Sequence, residues 1–303
     1  MSKVKKYPSP DAPQVRIIVL ETDEAHPDTH EEKGSFGEIL HGHFQHAGAE
    51  HTPALAVDTD KRFVVEDKWG TVPQFEEFEN YQGVLITGSM YDAHSDTPWI
   101  LKLIGVMKGT PTQYSLSSYG EKSQADRIEL WQRRPDLCLS GVCFGHQLLC
   151  RMLGGEVAPA ETQDWELGHS KIELSPVGKQ LFRTDNSSVY LHQMHQDHVV
   201  APPSPEGSSG LLKPGTRVDV WGHSSHTKVQ GIYIQRRLFT TQAHLAFDED
   251  MVKRQIQMRI ESGGIEDLDH ADRAAETAHW QHDGDAVAAA ILRFFHCDND
   301  SIK

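Results

Sequence analysis

Val15-Arg16-Ile17-Ile18-Val19-Leu20 is apolar and largely β-branched, which predicts a buried strand. Acidic turn residues follow. Phe36, Ile39, Leu40 and Phe44 then recur at i, i+3, i+4 and i+8, so residues 35–47 read as an amphipathic helix. A short strand is expected over 60–66. Residues 81–89 read as a strand entering a Gly-containing loop, and 99–107 as a helix. Residues 109–123 are rich in Thr, Ser and Gly and read as a surface insertion, reaching to about 135. An apolar strand over 137–142 runs through Cys143-Phe144-Gly145-His146-Gln147 into a helix over 147–153, stopped by Gly154-Gly155. The second half reads mostly β, at 170–174, 188–191, 218–221, 231–233 and 238–242. Residues 201–210 form a Pro/Ser/Gly loop, and helices are expected over 247–260 and 285–295.

Strands alternating with helices in the first half predict a mostly parallel sheet covered on both faces. The β-rich second half extends that sheet, so one core serves both halves. Residues 15–297 are expected to form a single domain behind a disordered tail, 1–14.

Composition narrows the function. The 303 residues carry 29 Lys+Arg against 44 Asp+Glu, a net charge of −15. Nucleic-acid binding needs a basic surface, so it is excluded. No apolar run approaches the ~20 residues of a membrane helix, and the first residues lack the apolar region of a secretory signal. Cysteines 138, 143, 150 and 297 form no CxxC pair, which points to a reducing compartment, the cytoplasm or the nucleus.

The strongest chemical signal is Gly141-Val142-Cys143-Phe144-Gly145 at a strand–helix junction. Glycines two before and two after a nucleophile permit a sharp turn. That turn exposes the thiol at a helix N-terminus, where dipole and N–H groups favour thiolate. The Phe144 N–H would then face an oxyanion. Taken alone, the same motif also suits a small core cysteine. A nucleophile needs a base, and His244 follows a strand-like run that would carry it to a strand end. The histidines at 192, 195 and 198 recur every third residue, so in a strand they alternate faces, and no zinc spacing accompanies them. No metal site is predicted. Neither GxGxxG nor GxxxxGK[ST] occurs, so no nucleotide cofactor is predicted.

This ordered set resembles the class I (triad-type) glutamine amidotransferases. The branch it resembles is the stand-alone one, similar to GMP synthetase amidotransferase domains and plant γ-glutamyl peptidases. The likeness spans roughly 15–296. It includes Gly88-Ser89 with Asp92 to Trp99, the segment His195-Gln196-Asp197-His198-Val199, and Phe247-Asp248-Glu249-Asp250-Met251-Val252 with His282-Asp283-Gly284-Asp285, familiar from fungal members. The resemblance implies a flavodoxin-like α/β fold. It implies Cys143 as nucleophile, His244 as general base, and an oxyanion hole from Phe144 and the Gly88 region. Gln147, Gln196 and Asp197 would hold a glutamyl group. It further implies a cysteine-dependent amidase or glutaminase working through a thioester, either alone or passing ammonia to a separate enzyme.

One position departs from the family. Where the family reads Gly-His-Pro-Glu-Phe, this chain reads Ala243-His244-Leu245-Ala246-Phe247. The triad Glu, which orients the imidazole, is replaced by Ala246. Three outcomes follow: a Cys-His dyad, an acid from another segment, or a pseudo-enzyme that keeps the pocket for a ligand or partner. A dienelactone-type hydrolase is the rival enzyme class. It would need an Asp on a later strand before the His, and it leaves the Gly88 and His195–Asp197 segments unexplained.

Overall fold

In a computed structural model, residues 11–108, 130–299 and 302 are described. Eleven strands follow in order: β1 (Gln14–Glu21), β2 (Ala56–Phe63), β3 (Gly83–Ile86), β4 (Cys138–Val142), β5 (Glu156–Pro159), β6 (Glu166–Leu174), β7 (Ser188–His195), β8 (Asp197–Ala201), β9 (Asp219–His223), β10 (Gly231–Ile234) and β11 (Leu238–Thr241). The helices are α1 (Pro27–Lys33), α2 (Phe36–Glu50), α3 (Pro98–Lys108), α4 (Leu130–Arg133), α5 (Phe144–Met152), α6 (Pro176–Phe182), α7 (Glu249–Glu261), α8 (Leu268–Glu276) and α9 (Gly284–Phe295).

Nine strands form one sheet in the order β2-β1-β3-β4-β11-β10-β9-β6-β7. The first five are parallel, in the flavodoxin-like order. The remaining four add as antiparallel neighbours. A separate pair, β5 and β8, is antiparallel. Alternation along β1 shows how both faces are buried. Ile17 and Val19 pack with α2, α6 and α9, while Ile18 and Leu20 pack with α3, α4 and α5. A third cluster, including Leu167, Met194 and Phe247, lies beneath α7 and α8.

The predicted run at 60–66 is displaced: the strand is Ala56–Phe63, ending before a 3₁₀ turn. Helix α5 begins at Phe144, three residues before the expected start, because Cys143 alone makes the turn. Residues 1–10 and most of the expected insertion, 109–129, lie outside the described residues. At its end, Leu130 and Trp131 are buried, and the Trp131 indole donates to the Leu211 carbonyl. No helix among the described residues is long and apolar enough to cross a membrane.

Candidate active site

The carboxyl ends of β1, β3, β4 and β11 stand in register, with Leu20 beside Ile86, Ile86 beside Gly141, and Val142 beside Thr241. Ligands of open α/β sheets bind at such strand ends. Here the loops after these strands line a cleft enclosing about 680 Å³ including its mouth.

Cys143 sits in the turn between β4 and α5, with φ 51° and ψ −106°. Both flanking glycines are required for close approach. A Cβ on Gly141 would lie 2.3 Å from the Gly145 carbonyl carbon, and one on Gly145 would lie 2.2 Å from the Ile86 oxygen. The Phe144 N–H faces the thiol, as expected of a helix's first free donor.

His244 follows β11, and its backbone N–H donates to the His192 carbonyl at 2.9 Å. Its ring stacks on Phe247, with centroids 3.9 Å apart and planes 13° apart. Gly88 completes the meeting point: a Cβ there would stand 2.9 Å from His244 Cε1 and 3.4 Å from Cys143 Cβ. The Thr22 hydroxyl lies 3.0 Å from the carbonyls of both Thr87 and Gly88. The peptide after β3 is therefore held from β1. Among the described residues, the Gly88 and Ser89 N–H groups have no acceptor.

Electrostatics correct one expectation. The helix N-terminus was expected to favour thiolate, yet burial pushes the Cys143 thiol up to about 12. Arg259 and the Phe144 N–H oppose that rise, and Asp197 adds to it. Burial drives His244 down to about 3, with His195, Arg259 and His192 acting in the same direction. Loss of solvation outweighs the helix-end field, so the resting pair is thiol and neutral imidazole. The thiol donates to the Met194 carbonyl at 3.9 Å. His244 Nε2 is enclosed and has no partner among the described residues.

No carboxylate among the described residues bonds to His244. Asp248 instead caps α7, accepting from Met251 N at 3.1 Å, and pairs with Lys33 at 2.5 Å. Glu249 pairs with Lys253 at 2.6 Å. Ala246 lines the cleft.

Burial also holds His146 down to about 3 and His192 to about 4. The unfolded chain protonates these groups and His244 near 6.5, whereas the native chain does not until about 3–4. Unfolding therefore takes up protons, and stability, full above pH 6.5, is lost as pH falls through this window. The melting temperature is expected to fall steadily from pH 6.5 to 5. Carboxylates with ordinary values near 4.5 or below contribute little in that range. A flat thermal-melting series between these pH values would contradict the assignment.

The residues expected to hold a glutamyl group are divided. Gln147 is buried and donates to the Asp197 carbonyl at 2.8 Å and to Gln242 Oε1 at 3.2 Å. The Asp197 carboxylate pairs with His94 at 3.1 Å. Gln196 turns away, donating to the Gln163 carbonyl at 2.5 Å. None of the three lines the cleft. His195 is likewise committed, with its ring nitrogens 3.1 Å from Glu166 Oε2 and 3.0 Å from the Asp197 carbonyl. Burial acts to raise Glu166, but bonding to His195 leaves it below its ordinary value.

The cleft adds residues that sequence spacing did not single out, notably Asp23, Glu24, Met90 and Arg259. One signal was available for Arg259: it lies on the 247–260 helical pattern, at i+8 from Met251 and i+4 from Gln255, both cleft-lining. Elsewhere, His51, His296 and Asp298 could together reach one metal ion. They lie where α2 and α9 end and are joined by hydrogen bonds of 2.7 and 2.9 Å.

Residues 118–251, which include Cys143 and His244, match the family model described as Glutamine amidotransferase class-I. A glutamine amidotransferase-like protein of Schizosaccharomyces pombe is 24% identical over 92% of this chain and 97% of its own. Gamma-glutamyl peptidase 2 of Arabidopsis thaliana is 25% identical over 60% of each chain. A glutamine amidotransferase crystal structure from Thermotoga maritima superposes with a TM-score of 0.57 at 16% identity, covering 93% of this chain and 98% of that one. That last likeness speaks for the fold alone. The fold is the α/β architecture of class I glutamine amidotransferases. Over residues 118–251 the chain is similar to the class I glutamine amidotransferases.

Proposed function

We propose that this protein is a cysteine-dependent amidase that cleaves a glutamine or γ-glutamyl amide through a thioester on Cys143. The observation carrying this reading is that Cys143, held at φ 51°, meets His244 and Gly88 in one cleft. The Arabidopsis relative's description as a gamma-glutamyl peptidase supports the substrate class. In this mechanism the substrate carbonyl binds with its oxygen toward the Phe144 N–H and the free N–H groups at Gly88 and Ser89. His244 takes the thiol proton as sulfur attacks, then gives it to the departing amine or ammonia. Water, deprotonated by His244, cleaves the thioester. Gln147 and Asp197 are assigned to shaping the glutamyl end of the site. Gln196 can contribute through its backbone, since its side chain is turned outward. The released ammonia either leaves or passes to a separate enzyme.

The non-catalytic reading has its own supporting observations. Ala246 offers no carboxylate, and the resting thiol and imidazole are neutral and not hydrogen-bonded to one another. Intact-mass measurement after mixing with a panel of γ-glutamyl compounds decides between the two. A glutamyl adduct on Cys143 supports the amidase. No adduct with any member of the panel leaves a pseudo-enzyme that uses the cleft for binding.

Ala246→Glu tests the dyad directly. A carboxylate two residues after His244 restores the family's arrangement, and about 1.4 kcal/mol of transition-state stabilisation is tenfold in rate. Turnover is expected to rise about tenfold. Residue 246 is half-buried, so an unpaired carboxylate would lower the melting temperature, which is read alongside. A normally melting variant with unchanged turnover would show that another group already holds His244.

A further inference from the structure

Arg259 lies in the same cleft as Cys143 and His244, yet no anion among the described residues neutralises it at contact distance. Among the described residues, no carboxylate comes within ion-pair distance of its guanidinium, and its enclosed Nε has no acceptor. Arg254, five residues earlier on α7, shows the ordinary arrangement: its guanidinium grips both Glu32 oxygens at 2.7 and 2.8 Å. The acids lining the cleft, Asp23 and Glu24, are already engaged, Glu24 with Lys68 at 3.2 Å. Asp23 accepts from Met90 N at 2.7 Å and from Lys68 at 3.3 Å, and Asp197 faces His94. Asp23, Asp92 and Asp197 influence Arg259 only at longer range. The Trp165 ring lies 5.2 Å from the guanidinium carbon, and the Trp165 indole is anchored to the Gly264 carbonyl at 2.8 Å. The cation is thus held in place by an aromatic face, not by an anion.

A partly buried, unpaired guanidinium is costly, and its planar fork matches a carboxylate. Of its neighbours on the cleft wall, Met251 and Met258 are apolar, and Gln255 turns its amide nitrogen to the Met258 sulfur at 3.9 Å. The Cys143 thiol responds to its charge, so an anion on Arg259 sits within electrostatic reach of the reacting sulfur.

We propose that Arg259 is the carboxylate anchor of this cleft, receiving the free α-carboxylate of a γ-glutamyl group whose amide carbon is presented to Cys143. This assignment rests on the amidase reading above, and it narrows the substrate class to γ-glutamyl compounds with an unblocked α-carboxylate. Compounds carrying an α-carboxamide or α-ester place a neutral group against the guanidinium and are poor substrates.

The test uses the full chain and two readouts. The first compares acylation of Cys143 by a γ-glutamyl anilide with acylation by its α-carboxamide counterpart. Wild type is expected to favour the free carboxylate by about 100-fold or more in kcat/KM, the scale of losing one partner of a buried charge pair. Arg259→Met is expected to bring the two substrates within a few-fold of each other, mainly through KM, and Arg259→Lys to restore part of the preference. The second readout needs no amidase activity: the rates at which iodoacetate and iodoacetamide alkylate Cys143. Arg259→Met is expected to lower the iodoacetate-to-iodoacetamide ratio about tenfold, as for loss of local steering by a charge. Its melting temperature is expected not to fall, because an unpaired buried charge is removed. Equal use of both anilides by wild type would overturn the proposal while leaving the amidase reading intact. If no γ-glutamyl compound acylates Cys143, the amidase reading falls. In that case an unchanged alkylation ratio in Arg259→Met overturns the anion site as well, and a lowered ratio upholds it.

Discussion

Cys143→Gly and Cys143→Ala are both expected to abolish acylation, and the glycine variant is expected to melt a few degrees above the alanine variant. The loss of chemistry follows from losing the only thiol in the cleft, since Cys138 and Cys150 are buried elsewhere in the core and Cys297 is exposed. The difference in stability follows from the backbone. At φ 51° and ψ −106° a side chain crowds its own peptide, at a cost of about 1–3 kcal/mol. Glycine relieves that cost but gives back about 0.5–1 kcal/mol in unfolded-state entropy. A net gain of about 1 kcal/mol corresponds to a few °C. Comparing glycine with alanine, not with wild type, cancels most of the effect of deleting the side chain. Differential scanning calorimetry on the pair checks it. A glycine variant melting below the alanine variant would mean that the turn at Cys143 is relaxed. Strain at this position would then have no part in presenting the thiol.

Sequence patterning reached the parallel half of the fold and the elbow because their signals are local. Val15–Leu20 and the run ending at Val142 are apolar strands with no competing pattern, and the glycines flanking Cys143 announce a turn whatever surrounds them. The antiparallel half was harder to bound. Strand β7 runs on to His195, past the residues at 188–191, with its polar residues buried, His192 against His282 and Gln193 on Gln230. Helix α8 has few large apolar residues and packs mainly through alanines, so no apolar run marks it. The ionisation state of the site was not legible at all. A helix N-terminus argues for thiolate, and only packing shows that Met194, Leu245 and Phe247 enclose the sulfur and the imidazole closely enough to reverse the sign. The helical pattern placed Arg259 on the face of Met251 and Gln255 but said nothing of its surroundings. An arginine on an amphipathic helix ordinarily marks its solvated face, and its lack of an ion-pair partner is a fact of three dimensions.

His244→Ala is expected to slow acylation of Cys143 by about 10²–10⁴-fold, the range for a general acid–base group, and to change how the rate depends on pH. With the thiol held near 12, pH 7 lies five units below its ionisation, and only about one molecule in 10⁵ carries thiolate. In the proposed route wild type passes the proton to His244 as sulfur attacks, so its rate does not follow the free-thiolate population. Because His244 stays neutral down to about 3, its rate is expected to be nearly level from about pH 5 to 9. Without the imidazole, attack must draw on the scarce thiolate, so the logarithm of the rate is expected to climb about one unit per pH unit across the same range. The difference between the two enzymes therefore narrows as pH rises, which a purely structural defect would not produce. Exogenous imidazole is expected to recover part of the loss at neutral pH, since the missing ring leaves space beside Phe247. The backbone bond from residue 244 to His192 does not involve the side chain, which favours an intact fold. Stopped-flow acylation from pH 5 to 9 makes the measurement. A variant that keeps a level profile and loses less than about tenfold would remove His244 as the base. A larger loss in His195→Ala would transfer the role to the histidine bonded to Glu166.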